Sequence, residues 1–172
     1  LMYEAGLRTG EVIKLRVKDV SFTQKMVVAH FGKDDKSRRI VLPDALVKRL
    51  KEQITRVEKI HTYDLANDVG NVYMPYALAK KYRSAAHELA WQYVFPSNKL
   101  SRDPRSDVIR RHHVMDRSLQ RHVKKAIQAA KIHKKASCYT FRHSFAARLL
   151  EQGNNVKKVQ ELLGHADVAT TE

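Results

Sequence analysis

VKDVSFTQKMVVAHFGKDDKSRRIVL, residues 17–42, decides the fold. Residues 17–22, 26–31 and 38–42 are rich in β-branched side chains. Turn chemistry separates them: Thr23-Gln24-Lys25 after the first run, Gly32-Lys33-Asp34-Asp35-Lys36-Ser37 after the second. The pattern predicts a three-stranded antiparallel meander with Lys36 at the tip of its second turn. A sheet that small needs helices over one face, and helical signals surround it. Upstream, residues 1–5 read as the tail of a helix closed by Gly6, and a short helix follows over 9–16 with Val12, Ile13 and Leu15. Downstream, Pro43-Asp44 opens a helix with Leu46, Leu50, Ile54 and Val57 on one side. Residues from about 61 to 105 read as irregular and aromatic-rich. Three helical patterns close the chain, over 114–131, from Thr140 to Gly153, and from Asn155 to Gly164. The expected class is α+β, mainly helical, with a small three-stranded antiparallel sheet.

Length and charge bound the function. The 172 residues fit one domain. A net charge of +15, with an isoelectric point near 10.0, selects a polyanion as partner, and nucleic acid is the commonest. No run of about 18 apolar residues offers a membrane span. The single cysteine, Cys138, excludes a disulfide framework and a cysteine-based zinc finger. The chain therefore reads as a reduced, intracellular, soluble basic domain. The basic residues are concentrated: the stretch from Lys99 to Lys135 alone carries +9 of the total. Within it Met115, Leu119, Val123, Ile127 and Ala130 recur at helical spacing, giving an apolar stripe with cationic flanks suited to phosphates. The ends fall in mid-element, so the expectation is a domain cut at both ends.

The usual catalytic signatures are missing: no glycine-rich phosphate loop, no His-Glu-x-x-His, no Gly-x-Ser-x-Gly. The nine histidines, His112-His113 and His122 nearest together, lack a well-placed acidic ligand, and no metal or other cofactor is expected. A different set suits a phosphodiester. Arg8 leaves a turn between helices, Arg142 and His143 fall in what reads as the first turn of a helix, His165 follows a helix-closing glycine, and Lys36 sits in a β-turn. Two guanidiniums grip non-bridging oxygens, an imidazole donates to the same centre, and an ammonium protonates a departing alkoxide. Each also has a plainer reading: Arg8 paired with Glu11, Lys36 solvated, His165 a helix cap.

Four motifs in order, Gly6-Leu7-Arg8-Thr9-Gly10-Glu11, Gly32-Lys33-Asp34-Asp35-Lys36-Ser37-Arg38, Thr140-Phe141-Arg142-His143-Ser144-Phe145-Ala146 and Leu162-Leu163-Gly164-His165, resemble the catalytic domain of the tyrosine recombinase (phage integrase) family. Residues 75–113, with Asp103-Pro104-Arg105-Ser106 and Arg110-Arg111-His112-His113, resemble the extra segment of integron integrases. The resemblance implies site-specific DNA recombination, integrating and excising gene cassettes through a 3′-phosphotyrosine, with no cofactor and a cytoplasmic, nucleoid-associated place in bacteria. It implies that Arg8 and Arg142 clamp the scissile phosphate, that Lys36 is general acid to the 5′-oxygen, and that His165 hydrogen-bonds the phosphate. Glu11 and His143 would support them. It further implies folded single-stranded attachment sites, with bases held among the aromatics from Tyr73 to Phe95, and a homotetramer on DNA. Arg110, Arg111, His112, Arg117, Arg121 and Lys124 are the candidate DNA contacts.

Two departures follow. Tyr139 stands where the family usually has histidine, and a neutral phenol donates a hydrogen bond to phosphate but is no near-neutral acid or base. The family's nucleophilic tyrosine is expected soon after Thr171, and none of the seven tyrosines takes that place. The expectation is a monomeric, weakly DNA-binding piece that forms no covalent adduct, without the N-terminal clamping domain and the C-terminal nucleophile segment. The rival readings are a non-catalytic DNA-binding protein, with residues 140–164 as a helix-turn-helix-like element, and a type IB topoisomerase relative.

Overall fold

The computed structural model describes residues 1–31, 36–82 and 84–164, with the main chain only of Phe31, Lys36 and Tyr76. The chain opens in α1 (Met2–Ala5) and turns at Gly6, whose φ of 65° is left-handed. A Cβ there would lie 2.6 Å from the Phe145 ring, so both conformation and space call for glycine. α2 (Thr9–Lys14) follows, and Glu11, three residues after the N-cap Arg8, accepts the Arg8 backbone N–H at 2.7 Å.

Residues 17–22 are not one strand. They form a 3-10 turn, Val17–Asp19, and then the two-residue β1 (Val20–Ser21). The cause is Asp19, a buried carboxylate that accepts the Arg16 backbone N–H at 3.0 Å and curls the chain back on itself. β2 (Met26–Phe31) and β3 (Lys36–Val41) complete an antiparallel sheet in the order β1-β2-β3. Register places Val27 opposite Ile40, Ala29 opposite Arg38 and Phe31 opposite Lys36. Lys36 is thus the first residue of a strand rather than the tip of a turn, because pairing extends two residues further than the β-branched run. Val27, Ala29 and Ile40 are buried on one face, together with Leu7, Val12, Leu15, Leu42 and Leu50.

α3 (Asp44–Ala66) runs five residues past the point where the sequence turns irregular. His-Thr-Tyr-Asp at 61–64 has no apolar period, yet His61 and Asp64 are buried against distant partners. His61 Nε2 lies 2.9 Å from the His87 carbonyl, and Asp64 takes Arg111 bidentately at 2.5 and 2.7 Å. Beyond it come α4 (Tyr76–Lys81), two 3-10 turns, and a hairpin of β4 (Ser101–Arg102) and β5 (Ile109–Arg110).

A second cluster of Val72, Met74, Ala85 and Tyr93 absorbs part of the aromatic segment. Arg16 joins this unit to the sheet. Its guanidinium lies 4.7 Å from the Tyr93 ring and donates to the Trp91 and Tyr73 carbonyls at 2.6 and 2.9 Å. α5 (Asp116–Ala129) contains no buried residue: Leu119, Val123 and Ile127 are half-covered, while Met115 and Ala130 are exposed. α6 (Cys138–Glu151) begins two residues before Thr140, where the sequence pattern starts it, because Ser137 caps it by accepting the Tyr139 N–H at 3.2 Å. α6 packs on α1 and on α7 (Val156–Leu163), which closes at Gly164 with φ 63°. Among the described residues no helix is long and apolar enough to cross a membrane.

Candidate active site

The site grows from the capped start of α2. Glu11 is buried, and three groups converge on its carboxylate. The Arg8 backbone N–H donates to Oε2 at 2.7 Å and its guanidinium to Oε1 at 3.2 Å. Arg38, from β3, grips both oxygens at 2.6 and 2.9 Å. Glu11 therefore holds Arg8 both at its main chain and at its guanidinium. The far end of that side chain donates to the Gly164 carbonyl at 2.9 Å.

Arg142 reaches the same place from α6. Since that helix starts at Cys138, Arg142 and His143 lie in its second turn, not its first, and the free N–H groups of the helix start are not beside them. What holds the Arg142 guanidinium is two carbonyls, that of Gly6 and that of Leu163, the latter at 2.5 Å. Leu163 and Gly164 belong to the end of α7, where carbonyls lack helical partners and cations are favoured. One helix end thus anchors both arginines, Arg142 at Leu163 and Arg8 at Gly164.

The electrostatics follow from this crowding. Arg142 is only 6% exposed. Burial pushes its guanidinium down to about 10, nearby Arg8 and Arg38 add to the effect, and Glu11 and Tyr139 oppose it. It is charged at neutral pH, as the depressed value is still far above 7. Two guanidiniums bond the one carboxylate and a third lies near enough to feel all of them, so this quartet of Arg8, Arg38, Arg142 and Glu11 carries excess positive charge in a partly dry setting. Such a site is poised for an anion with several oxygens, and planar guanidiniums match phosphate geometry.

A half-open cleft of about 620 Å³ adjoins the quartet, lined among others by Arg8, Glu11, His30, Cys138 and Tyr139. Tyr139 is 68% exposed at its mouth. Its ring lies 6.4 Å from that of His143, which is exposed. Lys36 opens β3, two residues before Arg38. His165 lies outside the described residues. Arg38 was not among the residues singled out from the sequence. The period of two that puts it on the inward face with Ile40 was the available signal.

The candidate DNA cations divide into two groups. Arg110 donates to Asn71 Oδ1 and the Val72 carbonyl at 3.0 and 2.9 Å, and Arg111 is held by Asp64 and the Ser97 carbonyl. Hydrogen bonding to Asp64 raises the Arg111 value above its usual range. His112 is half-buried, its Nε2 3.9 Å from buried Asp103, and burial lowers its titration below the ordinary histidine range. All three are engaged in the interior of the segment. Arg117, Arg121 and Lys124 are exposed on α5. A second cavity, of about 440 Å³, is lined by Tyr73, Tyr82, Arg105 and Arg110, with the Arg105 guanidinium 4.7 Å from the Tyr73 ring. Among the described residues no three His, Cys, Asp or Glu side chains gather as metal ligands.

Comparison with known proteins gives this arrangement its context. The profile of the phage integrase family matches residues 1–172, the entire chain. The chain belongs to the phage integrase family. An integrase/recombinase of Escherichia coli is 43% identical over 171 residues, covering 99% of this chain and 51% of the relative. The crystal structure of XerA recombinase superposes with a TM-score of 0.69 at 25% identity, over 99% of this chain and 48% of that one. A XerH site-specific recombinase bound to its palindromic difH substrate shares the fold, with a TM-score of 0.64 at 22% identity, over 99% of this chain and 38% of that one. The chain spans about half the length of the curated relatives it matches. Its mainly helical architecture with a small three-stranded antiparallel sheet is that of tyrosine recombinase catalytic domains.

Proposed function

We propose that the whole protein carrying this chain cuts and rejoins DNA at specific sites, as a phage integrase family recombinase, and that these residues grip the scissile phosphate. The observation that carries the reading is the meeting of Arg8 and Arg142 at the end of α7. In the proposed reaction a tyrosine oxygen attacks phosphorus. The Tyr O–P bond forms as the P–O5′ bond breaks, the phenol giving up its proton to solvent and the 5′-oxygen gaining one, which leaves a 3′-phosphotyrosine and a 5′-hydroxyl. Arg8 and Arg142 hold the non-bridging oxygens and stabilise the charge that develops there. Lys36 delivers a proton to the departing 5′-oxygen, and His165 donates to the phosphate. Tyr139, at the cleft mouth, donates where a histidine would otherwise stand. Glu11 orients Arg8. Ligation is the same exchange in reverse, so no external energy source is needed. The attacking tyrosine is assigned to a part of the protein outside these 172 residues.

Integron-type use is the finer reading. It is supported by the segment at 75–113 and by the cavity beside Tyr73 and Tyr82, whose aromatic and cationic walls suit a base displaced from the stack. On this reading the substrate is a folded single-stranded attachment site and the working assembly is a homotetramer. A non-catalytic DNA binder built on α6 and α7 leaves the cluster of Arg8, Arg38, Arg142 and Glu11 without a role. The test is Arg142→Lys in the whole protein. We expect site binding within about threefold of the parent and covalent protein–DNA adduct reduced at least a hundredfold. An undiminished adduct, or none from the parent protein itself, overturns the proposal.

A further inference from the structure

We propose that Arg38 is a positioning residue that locks the lysine-bearing β2–β3 hairpin onto the phosphate-gripping site, through its two-pronged bond to Glu11. The proposal rests on the recombinase reading and deepens it. Arg38 lies on β3, two residues and so about 7 Å along the strand from Lys36. Its guanidinium takes both oxygens of Glu11, and both side chains are nearly buried, at 10% and 4% exposed. A pair of that geometry resists rotation and sliding, where a single bond would permit both.

Two further contacts make the junction specific. Gly164 lies against Arg38: a Cβ there would sit 3.0 Å from one guanidinium nitrogen and 3.2 Å from Cδ. The carbonyl of that same glycine accepts from Arg8. Arg38 therefore sits where the hairpin, the start of α2 and the end of α7 come together. These are the three elements that carry Lys36, Arg8 and the anchor of both phosphate arginines.

Glu11 keeps other partners when Arg38 is removed. The Arg8 backbone N–H and guanidinium still hold it, and it remains within the capped turn of α2. Losing Arg38 frees the hairpin more than it frees Arg8. The chemical consequence belongs to the leaving-group side of the reaction: a displaced Lys36 is late or absent when the 5′-oxygen needs its proton. Grip on the non-bridging oxygens is affected less.

A sulfur substitution separates these effects. When the bridging 5′-oxygen is replaced by sulfur, the leaving group is a thiolate, which departs without a proton because thiols titrate near 8.5, far below alcohols. Single-turnover cleavage by the whole protein is measured on oxygen-linked and sulfur-linked versions of one site, for the parent, Arg38→Gln, Arg38→Lys and Arg142→Lys. Arg38→Gln should lose about 10- to 100-fold on the oxygen substrate and less than threefold on the sulfur one, with DNA affinity unchanged. Arg38→Lys, which keeps one charged bond to Glu11, should fall between, and it reads the same ratio if the glutamine variant folds poorly. Equal losses on both substrates, or no loss on either, overturn the assignment of Arg38. Failure of the recombinase reading looks different: the parent then forms no adduct on either substrate, or Arg142→Lys cleaves both normally.

Discussion

Arg142 is held by carbonyls and crowded by cations, and both facts have measurable consequences. Its guanidinium satisfies the Gly6 and Leu163 carbonyls at once, which the single ammonium of lysine does not reach together. Arg142→Lys should therefore cost about 1–3 kcal/mol from one buried carbonyl left unmade. At about 2–4 °C per kcal/mol for a chain of this size, thermal melting should show a loss of several degrees. His112 gives a pH prediction. Burial lowers its value in the folded chain, so the unfolded chain binds more protons and stability rises with pH across the window just below 6.5. Read downward, stability is lost as pH falls through the ordinary histidine range. Melting of the parent should weaken between pH 7.5 and 5.5 more than that of His112→Asn; identical pH profiles would show that His112 does not contribute.

At the scale of elements, α3 depends on its far end. Asp64 is 3% exposed and has Arg111 as its bidentate partner. Arg111→Ala leaves that carboxylate buried and unpaired, at a cost of about 3–5 kcal/mol, and circular dichroism should follow a clearly lower melting temperature. The same pair explains what the sequence does not reveal. The strand Met26–Phe31, the start of α3 at Asp44 and the closure of α7 at Gly164 are readable because local chemistry decides them: β-branched alternation, Pro43 before a helix, a glycine in the left-handed region. The last turn of α3 is polar in sequence and is held by residues 26 and 47 positions away, so no local period announces it. The start of α6 was masked for the opposite reason. Its cap, Ser137, lies outside the apolar pattern that begins at Phe141. In the site, Arg8, Glu11 and Arg142 were legible because their motifs are local, whereas the place of Arg38 depends on Glu11, 27 residues away.

For the whole molecule, the charge is +15 but not all of it is available to a polyanion. Arg110 and Arg111 are bound to interior partners, while Arg117, Arg121 and Lys124 stand exposed on a helix with no buried residue. Neutralising any one of the latter three should reduce the salt slope of DNA binding by about one, at similar cost for every sequence. Replacing Arg110 should lower stability and leave the slope unchanged. Filter binding or fluorescence anisotropy across a salt series separates the two groups; an equal slope change at Arg110 and Arg121 would contradict the division.

The central claim is that Arg8 and Arg142 address one DNA phosphate together. Double-mutant cycles test it most directly: adduct formation by the whole protein, parent, Arg8→Lys and Arg142→Lys, on a site in which one linkage at a time is made a neutral methylphosphonate. The account predicts one linkage, the same for both arginines, at which neutralisation and either substitution fail to add, because each removes a contact to that phosphate. Fully additive losses at every linkage would contradict it, and would leave the cluster of three arginines around Glu11 a feature of the fold alone.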